Sequence, residues 1–176
     1  MLAPMKKQYD KAGPTLVKAL KKRNFDAYYC STADEAVEKV LSLIPEGDTV
    51  SWGGVMTVDE LGIKERLRQR NQPVIDRDTA KTPEERMAML HQALGCDTFL
   101  MSSNAISEDG QLVNIDGLGN RVAALCFGPR QVIVVAGMNK VAGDLNSAIS
   151  RARHIAAPAN VQRFDTKTPC IVTGQC

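Results

Sequence analysis

Three loops in this sequence combine glycine, amide and charge in a way that suits recognition of a small anion. The first is SWGGVMT, which holds Gly53, Gly54 and Thr57. Paired glycines let backbone and ligand approach closely, because no side chain intervenes. A helix opening near Thr57 offers amide N–H groups to an anion. An ordinary strand-to-helix turn with a capped helix explains the same residues, and Asp59 and Glu60 already bring negative charge to that helix end. The second loop is NAISEDGQLVNIDGLGNRV, residues 104–122. Asp109-Gly110 reads as a hairpin turn. Turn chemistry accounts less well for Asn104, Asp116, Asn120 and Arg121 in the same stretch. Arg121 suits a carboxylate or phosphate gripped through two parallel hydrogen bonds. Asp116 suits a hydroxyl contact, or general-base work if burial raises its pKa. The third loop, VAGMNK, brings Asn139 and Lys140, the latter either a cleft cation or a solvated surface charge.

Other chemistry is missing or bland. No Walker-A loop, HExxH or GxSxG is present. GLGNRV lacks the third glycine of a dinucleotide fingerprint, a strand just before it, and the acidic residue about 20 positions later. His91 and His154 have no ligand partner in the pattern and read as core or surface structure. Trp52 either stacks on a ligand or points into the core, and Met56, Met87 and Met89 read as packing residues. Cys30, Cys96 and Cys126 sit in apolar contexts and read as buried thiols acting as small hydrophobes.

The elements that must position these loops follow from periodicity. Met5, Tyr9, Ala12, Leu16 and Leu20 share one helical face over residues 5–23. Residues 25–30 read as a strand. Ser31 or Thr32 caps the next helix, with Glu35 in capping-box position after Thr32; that helix runs to about residue 44, and residues 48–52 read as a strand. Thr57 and Glu60 repeat the capping pattern for a helix to about residue 70, and residues 73–76 read as a short strand. Thr82-Pro83 starts a third helix, carrying Met87, Leu90 and Leu94 inward. Residues 97–102 and 111–115 read as strands. QVIVVA, residues 131–136, reads as a central strand covered on both faces. Residues 144–155 read as a helix with Leu145, Ala148, Ile149, Ala152 and Ile155 inward. Past Pro158 the pattern fades. Strands alternating with helices select an α/β domain with a mainly parallel sheet, in which ligands bind beyond the carboxyl ends of the strands.

Composition sets outer limits. The chain has 176 residues, 44% hydrophobic and 24% charged, enough for one domain with a real core. A net charge of +2, spread over both signs, gives no electrostatic reason to expect nucleic acid or an anionic membrane as partner. No apolar run approaches the roughly 20 residues of a spanning helix, and lysines interrupt the N-terminal segment where a secretory core would lie. Five scattered cysteines argue against a disulfide framework. The expected location is the cytoplasm, and the long N-terminal helix suits packing in a homo-oligomer.

Taken in order, NAISEDGQLVNIDGLGNRVAALCFGP, VIVVAGMNKV, AISRARHIAAPANVQRF and TPCIVTGQC resemble the lactate-utilisation (LUD) domain family, in particular its YkgG-type proteins. The resemblance runs from about Tyr9 to the end of the chain. It implies a three-layer Rossmann-like α/β fold, similar to the ribose-phosphate isomerase, glucosamine-phosphate deaminase and CoA-transferase group. It implies a domain over residues 1–163 and a polar tail over 164–176 that begins a Cys-rich motif. By the same analogy SWGGVMT is an anion loop, Asp116 lies where isomerases of that group place an acid or base, and Lys140 is a cationic partner. The isomerase signatures themselves are not reproduced. Relatives continue the tail with further cysteines suited to an iron–sulfur cluster or zinc. Cys170 and Cys176 are the candidate metal ligands here, and two thiolates do not complete a four-ligand site. Either a longer form or another subunit supplies the rest, or both are loose thiols at a disordered end.

The resemblance implies an accessory role in bacterial oxidation of L-lactate to pyruvate, with a small anionic metabolite as ligand and iron–sulfur proteins as partners. A transferase or isomerase acting on a phosphate- or CoA-bearing substrate is the second reading, built on Asp116, Arg121 and Lys140. A ligand-sensing or scaffold domain without turnover is the third.

Overall fold

A computed structural model of the chain describes residues 2–164 and 167–176. Met1, and Asp165 and Thr166 of the expected tail, lie outside the described residues. The elements, in chain order, are α1 (Ala3–Lys22), α2 (Ala33–Leu43), β1 (Val50–Trp52), α3 (Met56–Glu60), α4 (Ile63–Gln69), β2 (Val74–Ile75), α5 (Pro83–Ala93), β3 (Thr98–Met101), β4 (Ala105–Ser107), β5 (Leu112–Val113), α6 (Asn120–Cys126), β6 (Gln131–Val134), β7 (Val141–Ala142), α7 (Leu145–Arg151), α8 (Ala157–Val161) and α9 (Pro169–Thr173). They form an α/β protein in two compact units, one of residues 32–102 and 116–136, the other of residues 1–31, 103–115 and 137–176.

The first of these units is a three-layer Rossmann-like arrangement around a parallel sheet of order β2-β1-β3-β6. Its two faces follow from the two-residue period of a strand. Leu100, Ile133 and Val135 join Val50 and Trp52 on one face, against Val37, Val40 and Ile44 around α2 and Val58, Ile63 and Leu67 of α3 and α4. Phe99 and Met101 turn the other way, with Val132 and Val134, onto Ala93 of α5 and Ala124 of α6. Thr32 caps α2 by accepting the Glu35 N–H at 3.2 Å, and Thr82 caps α5 from Glu85 in the same way. Arg70, just past α4, donates to the Leu41 and Ile44 carbonyls at 3.0 and 2.9 Å and so closes the other end of α2.

Several expectations change here. The helix expected from Thr57 to Arg70 is two helices, broken at Gly62 with φ +67°. Val55 occupies the N-cap of α3 without a side-chain hydrogen bond, so Thr57 lies inside the helix and the capping box does not form. Residues 120–126 fold as α6, which the glycine-rich sequence before them hid. QVIVVA is an edge strand of this sheet; β1 and β3 are central. Met56, Met87 and Cys126 are exposed, because the short helices that carry them bury only a narrow stripe.

The second unit is built on α1 and a small sheet of order β5-β4-β7. Strands β4 and β5 form the hairpin expected at Asp109-Gly110, pairing Ile106 with Leu112. Gly110 holds φ +87°, and a Cβ there would lie 2.9 Å from the Leu20 nitrogen of α1. Glycine is therefore needed for both conformation and close approach. Arg23 fastens the turn, donating to the Asp109 carbonyl at 2.7 Å and its carboxylate at 2.6 Å. The expected strand at residues 25–30 forms no ladder. Its groups go to α1 instead: the Tyr29 ring covers Gly13, and Tyr29 and Ser31 hydroxyls donate to Asp10 at 2.8 and 2.6 Å. Cys30 is accordingly only half-buried.

Asp144 caps α7, accepting the Ser147 N–H at 2.7 Å. Alanines form its buried side: Ala148 and Ala152 pack on Ala105 of β4. Leu145, Ile149 and Ile155, expected inward, are exposed, since small residues take the contact. The helix continues through a π-helical turn at Ala152–Ala156 into α8. Pro158, buried in α8, lacks an N–H and would crowd the carbonyl of residue 154, which the wider turn relieves. Where the sequence pattern fades, α8 and α9 form. None of the helices is long and apolar enough to cross a membrane, among the described residues.

Candidate functional site

In the four-stranded sheet the chain leaves β1 toward β2 on one side and later places β3 on the other. The connections diverge between the carboxyl ends of β1 and β3, which is where open α/β sheets form their ligand crevices. Gly53 follows β1 directly and gives its N–H to the Leu100 carbonyl at 3.0 Å. Ser102 follows β3. Arg121, from the start of α6, spans the two: its Nη1 donates to the Ser102 carbonyl at 2.6 Å, and a Cβ on Gly53 would lie 3.0 Å from the arginine Cδ. Gly53 thus makes room for the arginine stem.

Asp116 holds Arg121 in place. Its Oδ1 accepts from Nε at 2.8 Å and from Nη2 at 2.7 Å, and its Oδ2 accepts the Val122 N–H at 2.9 Å. The two side chains are only 10% and 12% exposed, so this pair is nearly dehydrated. Gly119, at φ +79°, turns the chain into α6 with Asn120 as the first helical residue.

The loop after β2 adds a second arginine that the sequence pattern did not reveal. Asp76 ends the strand and accepts the Asp78 N–H at 3.0 Å, fixing a tight turn over Arg77–Thr79. Arg77, 11% exposed, reaches back so that a Cβ on Gly54 would lie 3.0 Å from its Nη2. Its Nε lies 3.6 Å from Asp78 Oδ1. Asp78 also faces Lys64 at 3.5 Å and Arg86 at 3.3 Å. Burial pushes the Asp78 carboxyl up, and Arg77, Lys64 and Arg86 together outweigh it, leaving the pKa lowered. Lys64, nearly buried, pairs with Asp59 at 2.6 Å and sits 4.8 Å over the Trp52 ring. Trp52 itself is a core residue, 1% exposed, with its indole Nε1 buried and without a hydrogen-bond partner among the described residues.

Of the residues singled out in the sequence, Gly53, Gly54, Thr57, Asp116, Asn120 and Arg121 therefore belong to the unit of the four-stranded sheet, and Gly53, Asp116 and Arg121 come together there. Asn104, Asn139 and Lys140 belong to the other unit. The Asn104 side-chain oxygen accepts the Ile115 N–H at 3.1 Å, and its carbonyl accepts Arg151. The Asn139 carbonyl accepts Arg151 Nε at 3.3 Å, and its side-chain oxygen would lie 2.5 Å from a Cβ on Gly137. Lys140 is half-buried at the end of the turn over Met138–Lys140. Arg77 and Lys64 escaped sequence reading because each is one charge among many. The one available signal was Asp76-Arg77 directly after a short strand.

Cys170 is half-buried in α9 and Cys176 is exposed. Among the described residues no three His, Cys, Asp or Glu side chains are grouped as a metal site. Two thiols by themselves do not fit a four-ligand zinc or iron–sulfur centre.

Sheet order, divergent connections and polar loops at the carboxyl edge define a Rossmann-like α/β protein without a dinucleotide fingerprint. The LUD domain family model matches residues 14–176, and the chain belongs to that family, which is associated with lactate utilisation. No curated protein and no solved structure matches the chain.

Proposed function

We propose that the chain is an accessory protein of lactate utilisation that binds a small anionic metabolite at the mouth between β1 and β3 and works in the cytoplasm with iron–sulfur partners. The observation that carries the reading is the nearly dehydrated Arg121 guanidinium standing over Gly53, where a parallel sheet opens. Family membership supplies the metabolic context. Five free thiols suit a reducing compartment. Binding is favoured over turnover because both Asp116 oxygens are engaged, and an acid–base role for Asp116 in an isomerase or transferase requires that grip to break first. Any metal on Cys170 and Cys176 needs ligands from another chain or segment.

Calorimetric titration with L-lactate, pyruvate and inorganic phosphate, each alone, tests the reading. Saturable one-to-one binding of at least one is expected, without conversion. Heats of dilution only, for all three, would remove it. Capture of iron–sulfur proteins by the tagged chain tests the partner arm separately.

A further inference from the structure

We propose that the outward face of α1 docks an acidic patch on a partner protein. At about 100° per residue, Lys7, Lys11, Lys18 and Lys22 fall in a stripe roughly 60° wide and about 22 Å long. All four are exposed. Gly13 and Leu16, the buried residues of α1, lie on the opposite side, with half-buried Tyr9 and Leu20 beside them. The charge of the stripe is left uncompensated. Lys7 with Lys11, and Lys18 with Lys22, are like-charge pairs at i,i+4, which weaken a helix. Among the described residues none of the four has a carboxylate at ion-pair distance. Asp10, the one acid in α1, is turned aside, accepting from Tyr29, Ser31 and Lys6 at 2.8, 2.6 and 2.9 Å. The helix is also fastened along its length, by those contacts and by the Arg23 clasp on Asp109. Its ammonium groups therefore stand on a fixed rod, and docking orders little backbone. Lys7 and Lys11 precede the residues that the family model matches, so family membership does not account for half of the stripe.

Charge decides the kind of partner. Helix α1 holds six lysines and one aspartate, whereas the whole chain is only +2, so the rest of the chain is net negative. A long polyanion such as nucleic acid meets that negative remainder, while a compact acidic patch meets the stripe alone. The stripe is lysine only, without the arginine fork that suits phosphate. Its face carries no aromatic side chain on which a base could stack. An anionic membrane would take up the apolar side of α1, and that side is already spent beneath the Tyr29 ring and against Gly110 of the hairpin. Carboxylates on a protein surface are the match that remains.

The test titrates the full chain into labelled poly-L-glutamate, duplex DNA and phosphatidylserine vesicles, with binding read by fluorescence. One variant combines Lys7→Gln, Lys11→Gln, Lys18→Gln and Lys22→Gln. A second combines Lys81→Gln, Arg153→Gln, Arg163→Gln and Lys167→Gln, which removes the same charge from scattered exposed positions. The unchanged chain is expected to bind poly-glutamate, more weakly as salt rises. The stripe variant is expected to bind it about tenfold more weakly, the scale of four exposed ion pairs together, and the scattered variant to stay within about twofold. Equal loss in both variants overturns the proposal, because net charge alone then accounts for binding. No binding of poly-glutamate by the unchanged chain overturns it as well. Tighter binding of DNA or vesicles at equal salt, lost in the stripe variant, overturns the choice of a protein partner. If the fourfold stripe variant does not fold, Lys11→Gln with Lys18→Gln takes its place. About threefold weaker binding is then expected, and unchanged affinity overturns the proposal.

Discussion

Asp116 and Arg121 show how much a single pair of side chains is asked to do. With 10% and 12% of each exposed, water no longer compensates either charge, and each depends on the other. Removing one partner is therefore costlier than removing both. Asp116→Ala is expected to cost about 3 kcal/mol in urea unfolding, the usual scale for stranding one member of a buried pair. Asp116→Ala combined with Arg121→Met is expected to recover part of that loss, because no uncompensated charge is left behind. A double variant no more stable than Asp116→Ala would show that Arg121 serves stability through Ser102 rather than through this pair. The Asp-Gly, Asn and Arg crowding around residue 116 announced a polar centre in the sequence. What it hid was that Asp116 spends both oxygens within its own loop and helix.

Helix α1 carries a more local argument. Gly13 lies within it, buried beneath the Tyr29 ring, and an alanine methyl there would fall 2.2 Å from the ring's Cδ2. In a free helix Gly→Ala stabilises by about 1 kcal/mol. Here overpacking outweighs that gain, and Gly13→Ala is expected to destabilise by about 1–2 kcal/mol. In a Tyr29→Ala background the sign reverses and Gly13→Ala stabilises, which thermal unfolding of the four proteins measures. The same sign in both backgrounds would mean the ring is not what holds Gly13 to glycine. Elements with strong local signals were readable before the structure: the Thr32, Thr82 and Asp144 helix starts and the Asp109-Gly110 turn all stand where side-chain chemistry puts them. Residues 25–30 were not, because aromatic side chains that favour a strand are equally good at covering a helix. The inward face of α7 departs from its apolar period for a related reason: periodicity identifies apolar positions, and close packing on β4 chooses the alanines among them. Gly53 and Arg121 of the site were visible by type, whereas Arg77 depended on a fold-borne approach that no spacing records.

Carboxylates held below their ordinary pKa occur in both compact units, Asp78 in one and three aspartates in the other. Asp10, Asp109 and Asp144 all belong to the unit of residues 1–31, 103–115 and 137–176, and all have lowered pKa values. Asp10 is held at about 2, below its ordinary 3.8, first by the Ser31 hydroxyl and then by Lys6 and Tyr29. The Ser107 hydroxyl leads at Asp109, followed by Gln111 and Arg23, and the Ser147 N–H leads at Asp144. A carboxylate lowered in the folded state adds stability that is complete above its ordinary pKa and disappears as pH falls through the folded value. Loss is therefore expected between about pH 4 and about pH 2, read by urea unfolding at fixed temperature. Ser31→Ala raises the Asp10 pKa and shrinks the difference between those two pH values. A difference as large as in the unchanged protein would show that Asp10 is not a source of it.

The division of the chain into 32–102 with 116–136, and 1–31 with 103–115 and 137–176, has a bearing on birth as well as on architecture. A polypeptide leaving the ribosome up to Ser102 has three of its four parallel strands, yet β3 still shows a bare edge where β6 belongs. Helix α1, synthesised first, waits until Asp109 has been made, 86 positions after Arg23, before its clasp can close. Each unit is sewn from separated stretches, so neither can be produced as one uninterrupted excerpt, and a nascent chain exposes unfinished surfaces for most of its translation. A stop codon between residues 102 and 131 is therefore expected to yield aggregate rather than a smaller folded protein.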